Sequence, residues 1–259
     1  MIDTNVNMHQ WPFRRLAAGD PADLVGQLRK KGVTQAWTGS LDGLLDRDIT
    51  AVNARLAADC RRHGPEFLLP FGSINPMLPD WEGDLRRCRE QHRMPGIRLH
   101  PNYHGYKLNH PAFPLLLRNA ADSNLLVQLV FCMEDERTQH PLVRVPNVDL
   151  APLPGVLRDT PNLRLMLLNW KNVLIGEEGR FLARTNRVSF DFAMLEGVGG
   201  VERLRKSVPI ERIVFGSHFP LFYFDSALLK VKESALEGPD KEAVLDGNAH
   251  RLLGGSHDL

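Results

Sequence analysis

The sequence lacks the features typical of disulfide-rich, secreted and membrane proteins. Its 259 residues include 3 cysteines, and Cys60, Cys88 and Cys132 are too far apart in the chain to form a CxxC pair. This usage excludes a disulfide scaffold and favours a reducing compartment. No apolar run approaches the ~20 residues of a membrane span, and no signal-peptide pattern precedes the first predicted strand. We therefore expect a soluble, cytoplasmic protein with no membrane partner.

An excess of charge of either sign is also absent. The chain has 32 basic and 31 acidic residues, which gives a formal net charge of +1. Hydrophobic residues make up 43% and charged residues 24%, close to ordinary globular usage. A balance this even provides no excess of positive charge to bind nucleic acid, so a small molecule is the expected partner.

Strands and helices alternate along the chain. Short apolar runs predict eight strands, at residues 1–7, 33–38, 67–74, 96–100, 125–132, 163–169, 187–193 and 212–217. Helical patterns lie near residues 20–32, 48–63, 79–93, 111–123, 149–159, 177–184, 199–207, 223–236 and 239–253. Apolar strands that alternate with helices predict a parallel sheet covered by helices. Eight such units predict an α/β fold, a (β/α)8 TIM barrel that forms a single domain over residues 1–259.

Two local patterns refine this prediction. The first helix is expected to have Asp20 as N-cap, Pro21 at its first position, and Gly32 after a basic last turn. An open doubly wound sheet is the alternative fold, but the glycine pairs at 199–200 and 254–255 do not follow a strand as a phosphate-binding loop would. The barrel is therefore favoured.

Polar residues stand at the ends of several predicted strands. Asn5 and Asn7 are two residues apart and share one face of strand 1, whereas Ile2, Thr4 and Val6 are predicted to share the other. In a barrel these strand ends meet at one face, which carries the functional site. The other polar groups of this kind are Arg98, His100, Gln128, Asn169 and His218. Unpaired, each would cost ~1–3 kcal/mol, so we expect them to bond one another, water or a ligand.

Two loops add candidate ligand-binding residues. His104 and Tyr106 follow strand 4 in HPNYHGYKL, where they either line a pocket or lie on the surface. Glu134, Arg137 and His140 belong to the loop MEDERTQHP after strand 5. That charged run is either a solvated face or a part of the site, because the loop is on the functional side of a barrel.

Several segments resemble the amidohydrolase superfamily, in particular its branch of amidohydrolase-related hydrolases and decarboxylases. IDTNVN resembles that family's IDxHxH strand, GIRLHPNYHGY its GIKLHP stretch, and NLRLMLLNW its sixth-strand segment ending in His-Leu-Gly. VFGSHFP resembles its FGSDFP, and GNAHRLLG resembles its GNAxRLL. The resemblance covers nearly the whole chain and implies the TIM-barrel fold. It also implies a divalent metal held by two strand-1 histidines, by histidines ending strands 5 and 6, and by a strand-8 aspartate.

Every position that matches a metal ligand of the family carries a different residue. The replacements are Asn5, Asn7, Gln128, Asn169 and, for the aspartate, His218. Neutral amides are weak ligands for zinc and related ions, so we predict no metal and no other cofactor. Calcium accepts amide oxygens but usually needs carboxylates as well, and the nearest one is Asp191 on strand 7.

Two functions fit this pattern. The first is a metal-independent hydrolase of a lactone, ester or amide bond, with His218 as general base and with Arg98 and His100 binding a substrate carboxylate. Alternatively, Arg98 forms a structural ion pair, and His218 bonds neighbouring amides in a polar plug. The second function is a pseudoenzyme that binds a small molecule or a partner protein. The polar site favours the enzyme slightly, because an idle site could fill with apolar residues at lower desolvation cost.

Overall fold

A computed structural model describes residues 1–171 and 176–254. Seven strands form one sheet: β1 (Ile2–Met8), β2 (Gln35–Ser40), β3 (Leu68–Ser73), β4 (Gly96–Leu99), β5 (Leu126–Val130), β6 (Leu165–Leu168) and β7 (Val188–Phe190). The strands lie side by side in chain order, and all neighbours are parallel. This curled parallel sheet with its helices is consistent with the predicted α/β fold of the TIM-barrel type. Gly255, part of the second glycine pair, lies outside the described residues.

Helices connect the strands and cover the outer face of the sheet. They are α1 (Pro21–Lys30), α2 (Ile49–His63), α3 (Trp81–Glu90), α4 (Ala112–Asp122), α5 (Leu153–Arg158), α6 (Gly176–Arg184), α7 (Gly200–Arg205), α8 (Phe224–Lys232), α9 (Gly238–Glu242) and α10 (Asn248–Gly254). A π-helical turn, Ala243–Gly247, joins the last two, and 3-10 turns lie at Asp42–Leu44 and Ile210–Arg212. The predicted cap is confirmed, because the Asp20 carboxylate accepts from the first N–H groups of α1 and Pro21 begins the helix. None of the described helices is long and apolar enough to cross a membrane.

Alternate positions along a strand belong to two separate apolar clusters. On β5, Val127 belongs to the cluster that packs against the helices, whereas Leu126 and Val130 belong to a second cluster on the inner side of the sheet. Gln128 lies between those two inner residues and therefore points inward as well. The strand thus carries a polar group into the concave side of the sheet.

β1 departs from the regular alternation. Its register with β2 shifts between Asp3 and Val6. Ile2 belongs to the inner cluster, whereas Val6 belongs to the outer one. The prediction that Ile2 and Val6 share a face is therefore wrong, because the irregularity changes the phase of the alternation.

The predicted eighth strand, residues 212–217, is not a regular strand. The N–H of Val214 donates to the Phe190 carbonyl beside β7 at 2.9 Å, and the Phe215 carbonyl accepts from the N–H of Thr4 on β1 at 3.0 Å. The N–H of Phe215 donates instead to the π-helical turn. The segment thus lies between the two edges of the sheet, but its donors are divided among several partners and form no continuous ladder. The prediction of eight strands is wrong at this position for that reason.

Candidate functional site

Arg98 lies at the centre of a group of buried polar residues where the strands end. Its side chain is 1% exposed. Nε donates to Gln128 Oε1 at 2.8 Å, and Nη1 donates to the Val6 carbonyl at 2.8 Å and to Asn7 Oδ1 at 3.1 Å. Nη2 donates to the Trp37 carbonyl at 3.1 Å. We call the whole group the polar cluster; its members are Asp3, Asn5, Asn7, Arg98, Gln128, Asn169, Asp191 and His218.

A glycine on β2 makes room for this guanidinium. A Cβ at Gly39 would lie 2.7 Å from Nη1 and 2.8 Å from Cδ of Arg98, closer than van der Waals contact allows. Burial lowers the pKa of Arg98 to about 9, and the nearby Asp191 and Asp3 carboxylates oppose that change. The guanidinium is therefore still the charged form at neutral pH.

Asn5 joins β1 to the ends of β6 and β7. Its Nδ2 donates to Asn169 Oδ1 and to Asp191 Oδ2, both at 2.7 Å. The second carboxylate oxygen of Asp191 accepts from the N–H of Asn169 at 2.8 Å. Burial raises the pKa of Asp191 to about 7, although the hydrogen bonds from Asn5 and Asn169 lower it. Both oxygens of this carboxyl group are thus used within the cluster.

Asp3 connects β1 to the segment that carries His218. Its Oδ1 accepts from the N–H groups of Asn5 at 3.1 Å and Ser217 at 3.0 Å, and its Oδ2 accepts from the Ser217 hydroxyl. Burial raises the pKa of Asp3 to about 6, and these hydrogen bonds partly offset the rise. Asp3 therefore fixes the irregular segment against the first strand.

His218 is fully buried, and its two ring nitrogens have different roles. Nε2 lies 2.8 Å from the Met133 carbonyl, which can only accept, so Nε2 carries the proton. Nδ1 then accepts from Nδ2 of Asn7 at 3.2 Å and of Asn169 at 3.3 Å. Burial lowers the pKa of His218 to about 3, so the ring is neutral. Catalysis by His218 stays a prediction, and its lone pair is engaged by two amides.

His100 and its neighbours form a second buried group, beside the polar cluster. The ring centroids of His100 and His104 are 6.1 Å apart, and those of His104 and Tyr106 are 6.5 Å apart. His104 Nε2 donates to the Gly43 carbonyl at 2.8 Å. Both ring nitrogens of His100, the Tyr106 hydroxyl and the Ser73 hydroxyl are buried without a partner among the described residues. We call His100, His104, Tyr106 and Ser73 the histidine group.

The charge of the histidine group is set by its surroundings. Burial lowers the pKa of His100 well below its usual range, and the nearby His104 and Arg98 lower it further. Burial likewise lowers the pKa of His104 and raises that of Tyr106. The group therefore presents neutral donors and acceptors.

The charged loop after β5 divides into a buried and a solvated part. Glu134 is 4% exposed and forms an ion pair with Arg14 at 3.0 Å, and the His140 ring stacks on Phe13 at a centroid distance of 6.0 Å. Arg137, by contrast, has an 80% exposed side chain that pairs with a carboxylate of its own loop at 2.6 Å. Glu134 and His140 thus contact the loop after β1, whereas Arg137 lies on the solvated face.

The sequence profile of the amidohydrolase family matches residues 8–255. The chain belongs to the amidohydrolase family. The match begins after Asn5 and Asn7, and the correspondence of Asn5, Asn7, Gln128, Asn169 and His218 to the metal ligands of the family stays a prediction. A search among curated proteins found no match to the sequence.

Solved structures share the fold over almost the whole chain. The 2,6-dihydroxybenzoate decarboxylase from Rhizobium and the 5-carboxyvanillate decarboxylase from Sphingomonas paucimobilis each have a TM-score of 0.74 and 12% identity, with 98% of both chains covered. The 5-carboxyvanillate decarboxylase from Novosphingobium aromaticivorans, solved with manganese and 4-hydroxy-3-methoxy-5-nitrobenzoic acid, has a TM-score of 0.75 and 12% identity over 98% of this chain and 95% of that one. Similarity at this identity establishes a shared fold and not a shared reaction.

The polar cluster does not fit the metal that the amidohydrolase resemblance implies. The oxygens of Asn7 and Gln128 accept from Arg98, and the Asn169 oxygen accepts from Asn5. A guanidinium charge among these oxygens would repel a divalent cation. Within residues 1–171 and 176–254, no group of three or more His, Cys, Asp or Glu side chains is placed to hold a metal ion. The donor set therefore suits hydrogen bonding and not metal coordination.

Three contributors to this amidohydrolase site were missed from the sequence. Asp3 is an acidic residue in an apolar strand, and a buried carboxyl group of this kind must find partners, which is a usable signal. Gly39 interrupts a strand, and such a glycine indicates close approach of another group. The Met133 carbonyl left no signal, because the partner of a backbone oxygen depends on the folded geometry alone.

Proposed function

We propose that this member of the amidohydrolase family is a pseudoenzyme that binds a small molecule where its strands end, without metal-assisted chemistry. The observation that carries the proposal is the closed hydrogen bonding around Arg98. All three nitrogens of the guanidinium donate to protein oxygens, and three of the four oxygens, those of Gln128, Val6 and Asn7, come from positions at or beside the expected metal ligands. A metal would have to displace a buried, paired arginine.

The histidine group supports a ligand-binding role. A buried polar atom without a partner costs about 1–3 kcal/mol, so a bound molecule that supplies partners is stabilised there. His100, being neutral, offers one donor and one acceptor, and the hydroxyls of Tyr106 and Ser73 each offer both. A ligand with a hydroxyl or carboxyl group matches these atoms.

An aromatic rim lies on the loops at the same end. Trp11 contacts Phe13 edge-on at a centroid distance of 5.3 Å and Tyr103 at 6.3 Å. Arg14, whose side chain is 39% exposed, follows Phe13 in the chain and is paired with Glu134. Aromatic side chains at the rim suit an aromatic ligand. The solved decarboxylases named above are described with benzoate derivatives, so these are the first ligands to test.

A metal-independent hydrolase is the second candidate function. The observation in its favour is the tautomer of His218, whose Nδ1 keeps an unprotonated lone pair. To act as a base toward a lactone or ester, this nitrogen would first have to exchange its contacts with Asn7 and Asn169 for contacts with substrate.

Calorimetric titration of the chelator-treated protein with 2,6-dihydroxybenzoate and 5-carboxyvanillate tests the proposal. We expect binding of at least one of them without turnover, and about tenfold weaker binding by Tyr106→Phe, which removes one buried hydrogen-bonding hydroxyl. Tyr223→Phe changes a side chain that is 83% exposed and serves as the matched control.

The other outcomes separate the candidates. Hydrolysis of a lactone or ester that survives chelators and is lost in His218→Gln would establish the hydrolase instead. Stoichiometric manganese or zinc in the purified protein, together with metal-dependent turnover, would overturn both functions.

A further inference from the structure

Four arginines line one groove of about 550 Å³ on the surface of the protein. They come from the end of α5, from α6 and from the residue before β7, and Glu177 is the one acidic residue among the described residues that line the groove with them. We call this the arginine groove; its arginines are Arg158, Arg180, Arg184 and Arg187. The chain carries a net charge of only +1, so this concentration of positive charge is local.

The arginine groove lies at the end of the sheet away from the polar cluster. Arg187 immediately precedes β7, and α5, which ends at Arg158, leads into β6. The amino ends of parallel strands share one edge of a sheet, and their carboxyl ends share the other. The groove is therefore separate from the candidate functional site and independent of the function proposed for it.

Two of the four arginines have fixed structural roles. Arg187 Nη1 donates to the carbonyls of Leu157 at 2.6 Å and Thr160 at 2.9 Å, which closes the end of α5. The Arg158 guanidinium lies 5.7 Å from the centre of the Phe181 ring. These contacts hold two of the positive charges that line the groove.

Arg180 and Arg184 have no comparable role. In the part of the chain that the structure describes, neither guanidinium has a hydrogen-bond or carboxylate partner. The last carbonyls of α6 are already capped by Arg212, which donates to Ala183 and Thr185. The end of the helix therefore does not explain these side chains. Two positive charges four residues apart on one helix also repel each other.

We propose that the arginine groove binds a small organic phosphate that carries two or more negative charges. The planar fork of guanidinium matches phosphate oxygens in a bidentate geometry, and several forks converge on this groove. A polyvalent anion would neutralise the repulsion between Arg180 and Arg184, whereas a monoanion would neutralise only a part of it. The groove also has the volume of ordinary small-molecule sites, about 300–1,000 Å³.

Calorimetric titration of the full chain with pyrophosphate tests this proposal, with acetate as the monoanion. We expect pyrophosphate to bind and Arg180→Ala/Arg184→Ala to weaken it at least about tenfold, because each loss removes a charge-assisted hydrogen bond. Arg86→Ala/Arg118→Ala removes the same charge from exposed positions on α3 and α4 and should leave the affinity unchanged. Affinity should fall as salt is added, because Arg180 and Arg184 are exposed.

A second double variant guards against misfolding. Arg180→Lys/Arg184→Lys keeps both charges but lacks the forks, and we expect an intermediate loss of pyrophosphate affinity with an unchanged melting temperature. If Arg180→Ala/Arg184→Ala and Arg86→Ala/Arg118→Ala weakened pyrophosphate binding equally, the loss would come from the change in net charge alone. That result would overturn the proposal. Equal affinity for acetate, or binding of RNA but not of pyrophosphate, would overturn it as well.

Discussion

The polar cluster and the arginine groove place arginine in opposite surroundings. Arg98 is 1% exposed and donates to four protein oxygens, whereas Arg180 and Arg184 are exposed on α6. A desolvated guanidinium must be paired within the fold, and a hydrated one keeps its donors for a ligand. The basic residue nearest the expected active site is therefore the one least available to a substrate. The prediction that Arg98 binds a substrate carboxylate stays a prediction.

The largest expected loss of stability comes from replacing Arg98, the buried arginine. Arg98→Met leaves the Val6 and Trp37 carbonyls and the Asn7 and Gln128 oxygens without their donor. Loss of one partner from a buried charged network costs about 3–5 kcal/mol, and we expect that loss in the free energy of unfolding measured in urea.

Two controls define the effect at Arg98. Arg98→Lys keeps the charge without the fork and should lose less stability than the methionine variant. Arg184→Ala removes an exposed arginine and should unfold like the wild type within experimental error. If the free energy of unfolding of Arg98→Met lay within about 1 kcal/mol of the wild-type value, the stability of the polar cluster would not depend on its guanidinium.

The sequence predicted which residues would meet but not how they would bond. Asn5, Asn7, Gln128, Asn169 and His218 were expected together because alternation along parallel strands fixes which side chains share an edge. The irregularity in β1 and the divided hydrogen bonds of residues 212–217 were not predictable, because both depend on contacts distant in the chain. The sequence left two roles open for Arg98, a substrate-binding one and a structural ion pair, and it did not predict that Gly39 makes room for this side chain.

A smaller loss of stability is expected when a methyl group at position 39 intrudes on the Arg98 side chain. Gly39→Ala would put a Cβ 2.7 Å from Arg98 Nη1, and the side chain is held too firmly to move aside without losing hydrogen bonds. Overpacking of this kind costs about 1–3 kcal/mol, measurable as a lower urea midpoint. Gly26→Ala on α1 meets nothing within 4 Å and should raise stability by up to ~1 kcal/mol. If Gly39→Ala had the same urea midpoint as the wild type, the Arg98 side chain would have an alternative position of equal energy.

The smallest effect concerns the buried imidazole and depends on pH. The pKa of His218 falls from an ordinary 6.5 to about 3 in the folded protein, so its contribution to stability is complete above pH 6.5 and is lost as pH falls toward 3. The glutamine side chain of a His218→Gln variant would keep one donor and one acceptor but could not titrate. Between about pH 7.5 and pH 5.5 the wild type should therefore lose about 1 kcal/mol relative to the variant. Asp3 and Asp191, whose raised pKa values act in the opposite direction, are present in both proteins and cancel in the difference. A difference that stays constant across this range would mean that His218 also takes up a proton in the folded state, which would make it available as a base.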